Sequence, residues 1–72
     1  MTLVHKDTRI EAYDREDGCR VVLERDNTPK HYYSVFIKRP GEKGKTIATK
    51  CTYETAIEKA KEYKYVEATK FH

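Results

Sequence analysis

Cys19, Cys51, His5, His31 and His72 are the side chains best suited to zinc or nucleophilic chemistry in this 72-residue chain. Structural zinc draws its ligands from close pairs such as C-x2–4-C. Here every thiol and imidazole stands alone, and no Ser/His/Asp or Cys/His arrangement emerges. Asp14, Glu16 and Asp17 form an acidic cluster before Gly18. It lacks the length and ligand order of an EF-hand loop and reads as a solvated turn. Gly44-Lys45-Thr46 mimics the end of a phosphate-binding P-loop. The glycine spacing is wrong, and Thr46 enters a predicted strand where a P-loop needs a helix. The expectation is a protein that is not an enzyme and uses neither metal nor cofactor.

What the residues do favour is binding. Residues 1–29 carry five Lys/Arg against seven Asp/Glu, a net of −2. Residues 30–51 carry Lys30, Lys38, Arg39, Lys43, Lys45 and Lys50 against Glu42 alone, a net of +5. Positive charge gathered in one segment suits a phosphate-bearing or acidic partner, although lysines also serve simply to keep a hairpin solvated. The six tyrosines and two phenylalanines supply rings that can stack on bases or sugars.

These groups need elements to hold them. The rhythm of the chain changes at Thr52. Before it, apolar and polar residues mostly alternate, as in half-buried strands; after it, apolar residues recur at helical spacing. Residues 1–7 read as a loose lead-in. Thr8–Asp14 reads as a strand with Ile10 and Ala12 inward and Arg9, Glu11 and Tyr13 outward. Asp17-Gly18 is a tight-turn dipeptide. Cys19–Arg25 follows, with Val21 and Leu23 inward. Pro29 belongs in a turn, since it offers no N–H to a ladder. His31–Arg39 is the strongest strand. Tyr33/Val35/Ile37 and Tyr32/Phe36 are both credible inward sets, and the aliphatics favour the first. Pro40–Gly44 is an exposed loop and Lys45–Cys51 a further strand. Thr52 is a plausible helix N-cap, with Thr55/Glu58 as a capping box one turn later. Tyr53, Ala56, Ile57, Ala60 and Tyr63 then form one apolar stripe. Residues 65–72 can extend the helix, form a strand or fray.

The predicted fold is therefore one α+β domain: a meander of three or four antiparallel strands over 8–51, with one C-terminal helix over 52–64 packed on one face. In this register the outer face shows Tyr13, Arg20, Glu24, Tyr32, Phe36, Lys38 and Lys50. A one-residue slip would exchange the two faces. The N-terminus lacks the apolar run of a signal peptide, and no stretch approaches the ~18 apolar residues of a membrane span. A cytoplasmic protein with reduced thiols and no membrane association is expected.

Residues 19–64 resemble in plan the three-stranded sheet plus helix of AP2-type DNA-binding domains and of the arm-binding domains of tyrosine recombinases. The likeness is carried by Tyr32-Tyr-Ser-Val-Phe-Ile-Lys38, Lys45-Thr-Ile-Ala and Thr52-Tyr-Glu-Thr-Ala56. The tryptophans and glycine-arginine motifs of typical AP2-type domains are missing, and an additional N-terminal strand is expected. The likeness is one of plan and not of family membership.

The leading expectation is a small module that binds nucleic acid, DNA in particular. Lys38, Arg39, Lys43 and Lys45 would contact phosphates. Arg20, Tyr32 and Phe36 would contact bases or sugars, with Lys50 on the same face. The alternative is a protein-interaction module meeting an acidic surface, such as a small phage- or mobile-element-type regulator or inhibitor of a larger host protein. Homodimerisation is compatible with either.

Overall fold

A computed structural model describes residues 1–64. Five antiparallel strands run in sequence order across one open sheet: β1 (Thr2–Lys6), β2 (Ile10–Asp14), β3 (Arg20–Arg25), β4 (Tyr33–Lys38) and β5 (Lys45–Cys51). One helix, α1 (Tyr53–Glu62), follows. The expectation of a tail over 65–72 lies outside the described residues.

The strand count is a correction. The supposed lead-in is β1, paired with β2 through Leu3–Tyr13 and His5–Ala12. Its ladder is interrupted by a bulge between Leu3 and His5. Asp7 closes the β1–β2 turn: its Oδ1 accepts from the backbone N–H of Arg9 and of Ile10, both at 2.8 Å. The Arg9 N–H foremost, with His5 beside it, lowers the Asp7 carboxyl to about 2.

Directly paired residues of an antiparallel ladder share a face, so the register sorts the sheet. Val21 and Leu23 of β3 lie opposite Ile37 and Val35 of β4. All four are fully buried, and they join Cys19, Cys51, Ala56 and Ala60 in one core cluster. This is the core face. Ala56 and Ala60 lie one helical turn apart, and their small side chains let α1 approach the sheet closely.

The same register overturns the expected faces of β2. Tyr13 lies opposite Val21 and Glu11 opposite Leu23, so Tyr13 and Glu11 belong to the core face. Ile10 and Ala12 belong to the other face, called here the open face. Ala12 is buried yet is no part of the core cluster. For β4 the aliphatic set does point inward: Val35 and Ile37 are core, Tyr33 packs against them, and Phe36 is on the open face.

Thr52 is the N-cap, and its hydroxyl accepts from the backbone N–H of Thr55 at 3.3 Å. The later capping box is not used. Glu54 in the first turn and Lys59 and Lys61 in the last complement the helix dipole. Thr52→Ala should cost about 1 kcal/mol. In a domain of this size that corresponds to a drop of roughly 4–8 °C in Tm, measurable by circular dichroism.

Candidate nucleic-acid interface

Pairing arranges the open face in three rows running across the strands. The central row is His5–Ala12–Val22–Phe36–Thr46. On one side of it lies Thr2–Asp14–Arg20–Lys38, and on the other Ile10–Glu24–Ser34. Val22 and Phe36 are half-buried, whereas Arg20, Glu24 and Lys38 are exposed. The face thus offers a narrow apolar band with a cationic pair, Arg20 and Lys38, along one border.

That border runs into the two turns at the same end of the sheet. Gly18 ends the β2–β3 turn with φ +88°, and Gly41 turns the β4–β5 loop with φ +77°. Both conformations are costly for a residue bearing a Cβ. The Arg15 N–H donates to the Cys19 carbonyl at 2.8 Å, and the Asp17 carboxylate accepts from the Cys19 N–H at 3.1 Å. Within the acidic segment, Asp17 thus serves the turn itself. Among the described residues, no group of three or more His, Cys, Asp and Glu side chains could hold a metal ion.

The two turns enclose an open cleft of about 420 Å³ lined by Asp14, Arg15, Gly18, Arg20, Lys38, Arg39, Pro40 and Gly41. Arg20 grips Asp14 through two hydrogen bonds, Nε to Oδ1 at 2.7 Å and Nη2 to Oδ2 at 3.1 Å. This grip holds the Asp14 carboxyl below its ordinary range. Arg39 Nε lies 3.2 Å from Glu42 Oε2. Arg15 donates to the Ala60 carbonyl at 3.0 Å and to Asp17 at 2.6 Å, tying the turn to α1.

The residues singled out from the sequence do not form one patch. Arg20, Lys38 and Arg39 come together at the cleft, with Phe36 next to them on the open face. Lys43 is exposed in the adjoining loop. Lys45 pairs with Ile37, which puts it on the core face, and its ammonium lies 5.1 Å from the centre of the Tyr63 ring. Tyr32 precedes β4, and Lys50 lies near the Tyr33–Cys51 pair, at the opposite end of the strands from Lys38. Lys50 adopts a left-handed backbone, φ 53°, where the β4–β5 register is irregular. Tyr13 does not face outward at all.

Two groups at these sites escaped the sequence reading. Arg15 joins the cleft because a five-residue loop, 15–19, separates the paired Asp14 and Arg20. Glu11 is a buried carboxylate whose Oε1 accepts from Tyr13 Oη at 2.6 Å and Tyr53 Oη at 2.8 Å. Both phenols are pushed above their ordinary value, chiefly by donating to Glu11. Tyr53 also meets the Tyr33 ring edge to face, with centroids 5.2 Å apart. A cross-chain bond of this kind has no local sequence signature.

Comparison with known protein families, curated proteins and solved structures yields no match. Among the described residues no helix is long and apolar enough to cross a membrane.

Proposed function

We propose that this protein is a small non-enzymatic module that binds nucleic acid, DNA foremost, through the cleft end of its open face. The observation that carries this reading is the convergence of Arg20, Lys38 and Arg39, drawn from β3, β4 and the following loop, around one cleft beside Phe36. Fixed cations bordering an apolar band suit a polymer with charged phosphates and apolar base and sugar surfaces. In this reading Lys38 and Arg39 meet phosphates, Phe36 meets sugars or base edges, and Arg20, between them, borders both the phosphate path and the apolar band. The helix lies against the opposite face and leaves this one to the ligand. Lys45, held over Tyr63 on the core face, takes no direct part.

The test is fluorescence anisotropy with labelled duplex DNA, single-stranded DNA and RNA across a salt series. Neutralising the two phosphates met by Lys38 and Arg39 predicts a log–log slope of about −1.8 for duplex DNA. Affinity should then fall roughly 12-fold between 50 and 200 mM salt. Binding indifferent to salt, or none to any of the three probes, would remove the reading.

One observation favours a second reading, a protein-interaction module. Edge strand β1 is exposed along its whole length, with Leu3 50% and Val4 45% accessible. An open edge can accept a strand from a partner or from a second copy of the chain. Recovery of one stoichiometric protein partner, unaffected by nuclease, would favour this reading over the first.

A further inference from the structure

We infer that the cleft between the β2–β3 and β4–β5 turns is a seat for a single phosphate group. The inference deepens the nucleic-acid reading and rests on it for the source of that phosphate. The lining holds four cations, Arg15, Arg20, Lys38 and Arg39, against one anion, Asp14. The Asp14 charge is largely spent on Arg20, which holds it through Nε and Nη2. That grip also fixes the guanidinium plane, leaving Nη1 outside the pair. Arg15, with its side chain only 11% accessible and engaged by Asp17 and Ala60, acts as a fixed positive wall and not as a ligand. Lys38 is exposed and makes no ion pair with any described residue, so its ammonium is available.

Size and shape agree with this assignment. An open cleft of about 420 Å³ admits a phosphate group with room for the chain that carries it. Gly18 and Gly41 both line the cleft, and neither presents a side chain to obstruct an approaching oxygen. Arg20 approaches from β3, and Lys38 with the adjacent Arg39, whose Nε also faces Glu42, from the end of β4, so cations meet the cleft from two sides, an arrangement suited to the several charged oxygens of a tetrahedral oxyanion. A planar carboxylate is met more fully by a single arginine fork.

The experiment is a pair of amide NMR titrations of the 15N-labelled protein, one with inorganic phosphate and one with a short duplex DNA. Sodium chloride at matched ionic strength serves as the reference. Phosphate should move the amides of Gly18, Gly41 and Lys38 beyond the chloride reference, and the duplex should move the same set. Lys38→Gln should weaken phosphate binding about tenfold or more. Lys30→Gln, in the β3–β4 turn and outside the cleft lining, should leave it within about twofold of the parent. Unperturbed amide spectra for both variants would show that they fold. If phosphate moves the cleft and no nucleic acid binds, the seat stands and the nucleic-acid reading falls. If the duplex binds while the cleft amides stay still, the seat falls and the broader reading survives. If neither titrant acts, both fall.

Discussion

Lys38→Glu should weaken duplex DNA binding by on the order of 30-fold at about 50 mM salt, whereas Lys45→Glu should change it by less than about threefold. Reversing Lys38 removes one phosphate contact and puts an anion beside Asp14 and Arg20 on the open face. Loss of one contact should also reduce the salt slope by about 1, uniformly across DNA sequences. Lys45 is seven residues away in sequence and carries the same charge, so the basic segment alone gives no reason to separate the two. The register does: Lys45 lies opposite Ile37 and over Tyr63, with the sheet between it and the open face. Raising the salt to about 150 mM, where charges beyond ~8 Å are largely screened, should shrink the remaining influence of Lys45 further. Anisotropy titrations of the two variants at matched salt decide the matter. Equal losses would mean that the protein responds to its overall charge and has no oriented binding face.

This asymmetry shows where the sequence is informative and where it stops. Val21, Leu23, Val35 and Ile37 are legible although β3 and β4 each carry three apolar residues in a row. Aliphatics recur at i, i+2 on one face while Arg20, Glu24 and Lys38 flank Val22 and Phe36 on the other, and burial of the aliphatic face selects the register. The helix is legible from Ala56, Ala60 and the Thr52 cap. β1 is not, because Leu3 and Val4 are adjacent, its ladder is bulged, and all five residues are exposed. A strand held chiefly by backbone pairing leaves no periodic pattern to detect. β2 misleads more actively. Ile10 and Ala12 invite an inward assignment, yet Glu11 and Tyr13 occupy the core face. A buried carboxylate is tolerated there because two phenols satisfy it, one from α1. The cleft was half legible: Lys38, Arg39 and Gly41 announce a basic turn. Arg15, Gly18 and Arg20 join it only through the pairing of β3 with β4.

Glu11→Ala should therefore destabilise the fold by about 2–3 kcal/mol, the larger of the stability effects expected here. Its Oε1 collects two hydrogen bonds, and bonds to a charged acceptor contribute ~1.5–3 kcal/mol each when well shielded. The sum is discounted because Tyr53 is 39% accessible and can turn its hydroxyl to water. Domains are stable by only ~0.05–0.15 kcal/mol per residue, so the loss is a large share of the total. It should lower Tm by roughly 10–20 °C. Tyr53→Phe, which removes one bond and keeps the contact with Tyr33, should cost about 1 kcal/mol. Alkaline pH gives an independent readout. Tyr13 and Tyr53 hold their protons more tightly folded than unfolded. The stabilisation is complete below the ordinary tyrosine pKa of ~10. Above it the unfolded chain loses these protons first, and stability falls as pH rises toward the folded values. Urea midpoints at pH 7, 9 and 11 should decline at the alkaline end in the parent. With the carboxylate gone both phenols return toward ordinary behaviour, and the decline should be shallower in Glu11→Ala. Parallel alkaline slopes in parent and variant would show that Glu11 does not hold the two tyrosines, and that α1 is fastened to β2 by packing alone.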